Sequence, residues 1–175
     1  MNYELIINST STEVVLALLK NKQLIELHKE KHDNDFSVGD VYVGKVRKVI
    51  PSLNAAFVNV GYEKDAFLHY LDLGPQYRSM NSYIQKTLKG KQPSASLASS
   101  KIEADIDKHG KIKDILSSSQ LIAVQIAKEP ISSKGPRLTA EVTLAGRFVV
   151  LVPFSNKISI SQKIKDPEER DRLKR

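Results

Sequence analysis

The segment VGDVYVGKVRKVIPSLNAAFVNVGYEKDAFLHYLDL, residues 38–73, decides the fold of this chain. It contains three runs in which apolar and polar residues alternate, separated by turn residues: Val41–Ile50, Ala55–Val60 and Ala66–Tyr70. Alternation with a period of two is typical of strands that bury one face. The segment therefore predicts a small antiparallel β-sheet.

The same alternation assigns the side chains of the second run to two faces. If Val58 points into a core, Phe57 points outward, because successive side chains leave a strand on opposite faces. The first run supplies three cations: Lys45, Arg47 and Lys48. Alternation separates Lys48 from the other two. Exposed rings beside cations suit unpaired bases and phosphates, whereas the alternative places Phe57 in the core, the usual position of Phe in a strand.

Two pieces of the segment carry a family resemblance: GDVYVGKVRKVIPSLNAAFVNVG and DAFLH. They are similar to the S1 domain of the ribonuclease E/G family of bacterial endoribonucleases, a five-stranded barrel of the OB class. The opening MNYELIINSTSTEVVLALLKNKQLIELH and the late LTAEVTLAGRFVVLVPFSNKISISQKI resemble the same family in order and spacing. The resemblance covers nearly the whole chain except an insert from about Gln76 to Lys108.

This resemblance implies a mainly β protein, with the S1 barrel inserted into the start of an RNase H-like subdomain. Residues 1–35 are then the first strands of that subdomain, and residues 36–128 are the S1 domain with a flexible insert around 76–108. Residues 129–175 are the truncated start of a 5′-sensor region. Within the insert, the low-complexity composition of Lys89–Ser100 predicts a mobile loop.

The resemblance also implies RNA-binding residues. Phe57 and Phe67 match the aromatic positions with which the family's S1 domain contacts single-stranded RNA. Lys113 matches its basic residue, with Lys111 as the competing alignment. Charge alone makes the cations of the first strand candidate phosphate contacts: Lys45, Arg47 and Lys48.

A further candidate lies near the end of the chain. ERDRLKR resembles the stretch in which the family places the arginine that binds the 5′-monophosphate of RNA, which corresponds to Arg170. Asp171 stands where some members have a hydroxyl residue that touches the same phosphate. The alternative is that Arg170 is a solvated helical charge.

No catalytic or metal-binding residue is assigned. The resemblance implies a Mg²⁺ ion held by two aspartates that lie downstream of every residue matched here, so that Mg²⁺ is a cofactor of the full-length enzyme only. The Asp33–Asp35 cluster suits a solvated linker better than a cation site. Four scattered histidines offer no recognisable ligand set: His28, His32, His69 and His109.

Composition and charge agree with a polyanion partner. Residues 36–137 carry 15 Lys/Arg and nine Asp/Glu, a net +6, whereas residues 1–35 carry four and six, a net −2. The chain has no Cys and no apolar run of membrane-spanning length. We therefore expect a cytoplasmic protein with single-stranded RNA as its partner and no membrane span. The resemblance allows homo-oligomers through regions absent here.

The remaining elements are predicted from local patterns. YELIIN forms a strand, and Glu13–Leu19 with Gln23–His28 form a hairpin, although TEVVLALLKNK would also suit a helix. Further strands are expected over Leu121–Lys128, Leu138–Leu144 and Phe148–Val152. Asp166 and Pro167 predict the start of a helix.

Together these features predict the RNA-binding N-terminal portion of a single-strand-specific endoribonuclease of RNA processing and decay, inactive without its catalytic subdomain. One alternative is a self-contained S1-type RNA-binding protein without nuclease activity. Another is a β-barrel module for protein interactions whose basic charge is incidental.

Overall fold

The computed structural model describes residues 2–31, 35–91, 96–97, 100–146, 150–156 and 160–174. The chain forms two compact units, Met1–Ser37 and Val38–Arg175.

The first unit is an antiparallel sheet of three strands in chain order: β1 (Tyr3–Ser9), β2 (Glu13–Lys20) and β3 (Gln23–Lys31). The two-residue turn between β2 and β3 consists of Asn21 and Lys22, both with positive φ, at 50° and 69°. That backbone matches the twist of a tight hairpin. The predicted hairpin is therefore confirmed, and the helical alternative for TEVVLALLKNK is wrong.

Apolar side chains of β1 and β3 remain exposed within this sheet. Leu5 and Ile7 are 62% and 61% exposed, Leu24 is 57% exposed, and no described residue of the first unit is fully buried. β2, between the two, is half-buried along its whole length. By itself this sheet covers neither of its faces.

The second unit is built on a closed barrel of five strands. They are β4 (Val41–Ile50), β5 (Ala55–Asn59), β6 (Ala66–His69), β7 (Leu121–Lys128) and β8 (Arg137–Thr139). The order around the barrel is β4-β5-β6-β8-β7, with β7 pairing back onto β4. All neighbours are antiparallel except β6 and β8, which are parallel. The predicted five-stranded barrel of the OB type is confirmed.

The barrel core consists of the inward residues of every strand. Their side chains are almost completely buried: Val46, Val58, Leu68, Ile122, Val124, Ile126 and Leu138. Each such burial is worth about 1.5 to 3 kcal/mol. Gly44 also faces inward, and a Cβ atom there would lie 2.6 Å from Val58 Cγ1. The two strands approach closely because this position has no side chain.

The region between β6 and β7 contains a helix that the sequence did not predict, α1 (Tyr77–Leu88). Four apolar residues recur along it at helical spacing: Tyr77, Met80, Ile84 and Leu88. Hydrogen bonds to other parts of the second unit fix its position. Gln85 donates a hydrogen bond to the Leu121 carbonyl at 2.8 Å, and the buried Ser79 hydroxyl accepts one from the Glu103 N–H at 2.9 Å. The predicted mobile loop, Lys89–Ser100, lies partly outside the described residues.

Beyond the barrel, the predicted strand over Leu138–Leu144 is wrong, because β8 ends at Thr139 and the chain turns. The Thr139 hydroxyl accepts a hydrogen bond from the Glu141 N–H at 3.1 Å, which stabilises the turn. Two short antiparallel strands follow, β9 (Leu144–Ala145) and β10 (Val150–Leu151). The first two residues of the predicted strand Phe148–Val152 lie outside the described residues.

The last element is α2 (Pro167–Lys174). The Asp166 carboxylate accepts a hydrogen bond from the Glu168 N–H at 3.1 Å, as an N-cap residue does. The predicted helix start is confirmed.

Candidate nucleic-acid interface

Two aromatic rings lie side by side on the outer surface of the barrel. Phe57 of β5 pairs directly with Phe67 of β6, and their ring centroids are 5.9 Å apart at an interplanar angle of 69°. Both are half-buried, while the residues on either side of them along each strand are buried. The rings therefore face outward, as alternation predicts for Phe57, and the interpretation that places them in the barrel core is wrong.

A β-bulge changes the expected positions of the first-strand cations. β4 pairs Val46 with Val58 and then Lys48 with Phe57, so Arg47 is the extra residue. Because residues directly opposite each other share a face, Lys48 lies beside Phe57 on the outer surface. Lys45, paired with Asn59, lies on that surface too. The expectation that Lys48 alternates away from Lys45 is wrong, because the extra residue of the bulge interrupts the alternation of side chains along β4.

Arg47, the bulged residue, is exposed and lies near one carboxylate. Its Nε atom is 3.9 Å from the Asp65 Oδ1 atom, the outer limit of an ion pair. Exposed pairs of this kind are worth little, so Arg47 stays available to an anion.

The register continues across the barrel beyond the two rings. Phe67 pairs with Arg137 of β8, and Arg137 pairs with Lys128 of β7. A second bulge, at Ala127, brings Lys128 into this position. One residue from each strand thus forms a line on the outer surface, here called the outer row: Lys48, Phe57, Phe67, Arg137 and Lys128. Sequence reasoning missed the last two residues, because neither the parallel pairing nor the bulge has a signal in the sequence.

The basic turn near the insert is fixed at one end of the barrel. A 3₁₀ turn spans Ile112–Asp114, with Ile112 fully buried and Lys111 and Lys113 exposed. Asn54, in the connection that leads into β5, accepts a hydrogen bond from the Ile112 N–H at 2.6 Å and donates one to the Gly110 carbonyl at 3.1 Å. The turn is therefore held by the residue that lies three positions before Phe57.

Arg170 lies on α2, half-buried. Its Nη1 atom donates to the carbonyl oxygens of Ser161 at 2.8 Å and Ile164 at 2.9 Å, which orients the guanidinium. Asp171 is exposed and lies 3.5 Å from Lys174. Among the described residues, none of the hydrogen bonds of the Arg170 side chain reaches the barrel.

Metal-ligand geometry is absent from the part of the chain that the structure describes, in which no three His, Cys, Asp or Glu side chains gather. Asp33, Asn34 and His32 lie outside the described residues. His69 accepts a hydrogen bond from the Leu71 N–H at 3.1 Å. Across the described ranges, no helix has the length and apolarity needed to cross a bilayer.

The fold and its surface define the class of protein to which the second unit belongs, an OB-type barrel that carries an aromatic pair between cations. The model of the Ribonuclease E/G family matches residues 143–175. Ribonuclease G of Haemophilus influenzae is 35% identical over 98% of this chain and 31% of its own length. Ribonuclease G of Escherichia coli K12 is 32% identical over 100% of this chain and 32% of its own length. Ribonuclease E of a Nostoc species is 38% identical over 78% of this chain and 16% of its own length.

The chain therefore belongs to the ribonuclease E/G family. It spans about a third of the length of the ribonuclease G relatives it matches.

Proposed function

We propose that this chain is the RNA-binding N-terminal portion of an endoribonuclease of the ribonuclease E/G type that acts on single-stranded RNA in processing and decay. The observation that carries the proposal is the outward pair of Phe57 and Phe67 with Lys48 in register beside it. The relatives are named ribonucleases, which makes RNA the natural polyanion for this surface.

The surface suits unpaired nucleotides. Stacking of a base on an exposed ring contributes about 1 to 3 kcal/mol and tolerates any base, because every base has a π-face. Lys45, Arg47 and Lys48 supply charge for the phosphates, and Lys113 on its fixed turn adds a further cation. Binding is then strongly dependent on salt and weakly dependent on sequence.

Cleavage belongs to residues outside this chain. Hydrolysis of a phosphodiester through Mg²⁺ requires carboxylates that place the ion at the scissile phosphate. In this proposal Mg²⁺ serves only the full-length enzyme, and the segment alone does not cut RNA. Homo-oligomers would likewise form through regions beyond this chain, and the enzyme would act in the cytoplasm.

The first unit fits the start of an RNase H-like subdomain in this proposal. Both β1 and β3 expose aliphatic side chains such as Leu5 and Leu24. A sheet of this composition is stable when further elements cover it. Residues outside this chain would supply that cover.

Arg170 is the proposed contact for a 5′-monophosphate. Two of its N–H groups are used by the carbonyls of Ser161 and Ile164, which leaves Nε and Nη2 for a phosphate. Asp171 provides no hydroxyl beside it and adds a negative charge, so this contact would depend on the guanidinium alone.

The test is binding of the 175-residue chain to an unstructured oligouridylate at two salt concentrations, with an RNA duplex of the same length as control. We expect weak binding of the single strand, preferred over the duplex. Each neutralised phosphate should contribute about −0.7 to the slope of log K against log salt concentration. Absence of binding at low salt, or equal binding of the duplex, would exclude the proposal.

A further inference from the structure

Arg137 occupies the position beside Phe67 that Lys48 occupies beside Phe57. It is in register with Phe67 on β8, and the next residue, Leu138, is fully buried, so the Arg137 side chain leaves the barrel on the outer face. A backbone hydrogen bond from the Phe67 N–H to the Pro136 carbonyl at 2.9 Å fixes this pairing. The aromatic pair thus has one cation on each side.

The guanidinium of Arg137 is held in one orientation. Its Nε and Nη2 atoms donate to the same Asp72 oxygen, Oδ2, at 3.1 and 2.8 Å. Within the described part of the chain, its Nη1 atom has no hydrogen-bond partner. Three of its five N–H groups, both on Nη1 and the second on Nη2, are therefore left for an anion.

Asp72 is itself fixed by the barrel. Its carbonyl oxygen accepts hydrogen bonds from the Thr139 hydroxyl at 2.9 Å and from the Ala140 N–H at 2.8 Å. The carboxylate that orients Arg137 is therefore anchored to the same strand that carries Arg137. An arginine held in this way loses little side-chain entropy when it binds a phosphate.

We propose that Arg137 is a further RNA contact and that Asp72 is its positioning residue. This inference rests on the proposed binding of single-stranded RNA. The bound strand would cross the barrel from Lys48 over the two rings to Arg137, about 14 Å for three strand spacings. Arg137 grips a phosphate at the far side of the rings, and Lys128 adds charge beyond it.

The first test is Arg137→Gln, with Lys101→Gln as the matched control, because Lys101 is also a cation paired with a carboxylate, that of Glu103 at 3.4 Å. We expect Arg137→Gln to weaken oligouridylate binding about five- to tenfold and to reduce the salt slope by about 0.7. The control should change affinity less than twofold. Equal effects of the two variants would overturn the inference.

The second test separates orientation from charge. Asp72→Asn removes a negative charge, so charge alone predicts tighter binding to RNA. If Asp72 orients Arg137, binding instead weakens, about two- to fivefold. Glu63→Gln removes an exposed negative charge that has no such bond and measures the charge effect by itself. An Asp72→Asn variant that binds as tightly as Glu63→Gln would overturn the positioning role.

Failure of the inference is distinguishable from failure of the proposed function. If the unaltered chain binds no RNA, the proposed function fails. If Phe57→Ala weakens binding and Arg137→Gln does not, only the inference fails. Should Arg137→Gln melt well below the unaltered chain, Arg137→Lys replaces it, since it keeps the charge and loses the planar fork. We expect that variant to bind two- to fivefold more weakly, and unchanged affinity would overturn the inference.

Discussion

The barrel and the three-stranded sheet use similar apolar strands with opposite results. In β5, Val58 is fully buried while Phe57 beside it is half-exposed, because closure gives the barrel an inside and an outside. In β1, the consecutive residues Leu5, Ile6 and Ile7 are all more than half exposed. Alternation along a strand therefore distinguishes core residues from surface residues only where the sheet closes on itself and buries one of its faces. A run that is apolar on both faces indicates a sheet that needs cover on both.

The two units should differ most in the free energy of unfolding that is lost when an aliphatic side chain is truncated to alanine. Leu68→Ala should lower the free energy of unfolding by about 2 to 5 kcal/mol, since it leaves a cavity in the closed core. Ile7→Ala, on the exposed sheet, should change it by less than about 0.5 kcal/mol. Urea denaturation followed by circular dichroism measures both. Equal costs would mean that the first sheet is as well covered as the barrel.

A smaller effect should separate the two faces of one barrel strand. Phe57→Ala should weaken binding of single-stranded RNA by about 1 to 3 kcal/mol through lost stacking and leave the melting temperature nearly unchanged. Val58→Ala should lower the melting temperature and, where the protein is folded, retain binding. Binding curves and thermal melts of both variants test this. A reversed result would mean that the outer row does not bind RNA.

The smallest effect concerns alkaline pH. Burial raises the pKa of the Tyr77 phenol, which accepts a hydrogen bond from Gln120 at 3.1 Å. The folded state therefore keeps a proton that the unfolded chain loses near pH 10. Stability is fully present below that pH and declines above it, by at most about 1.4 kcal/mol per pH unit for this group.

Unfolding measured between pH 9 and 11 should show this decline, and Tyr77→Phe should reduce it. Burial raises the pKa of Tyr70 in the same direction, so part of the decline should remain. An unaltered slope in Tyr77→Phe would contradict the assignment to Tyr77.

Local patterns were sufficient to predict most strands, because alternation and turn residues report directly on a half-buried sheet. They predicted β4 at its observed bounds and the outward position of Phe57. α1 was missed because the lysine- and serine-rich composition around it was interpreted as a decay of regular structure, although its apolar residues recur at helical spacing. Its position also depends on contacts such as the hydrogen bond from Gln85 to the β7 backbone, which joins residues 36 positions apart.

The sequence predicts only part of the outer row, for a related reason. Phe57 and Phe67 lie in adjacent strands joined by a short turn, so the sequence alone predicts that they lie close together. Arg137 reaches Phe67 through a parallel pairing, and Lys48 and Lys128 reach the row through bulges. A bulge is one extra residue in a ladder, and its position depends on both strands at once.

The parallel pairing of β6 with β8 has a consequence for synthesis of the protein. Phe67 and Arg137 are 70 positions apart, so the ribosome needs about 4 to 14 s to deliver the second after the first at 5 to 20 residues per second. During that interval the barrel cannot close, and contacts this distant in sequence form slowly even afterwards. The outer row is therefore complete only after β8 has been synthesised and paired. Binding of a labelled oligonucleotide to the nascent chain would report the moment at which the barrel closes.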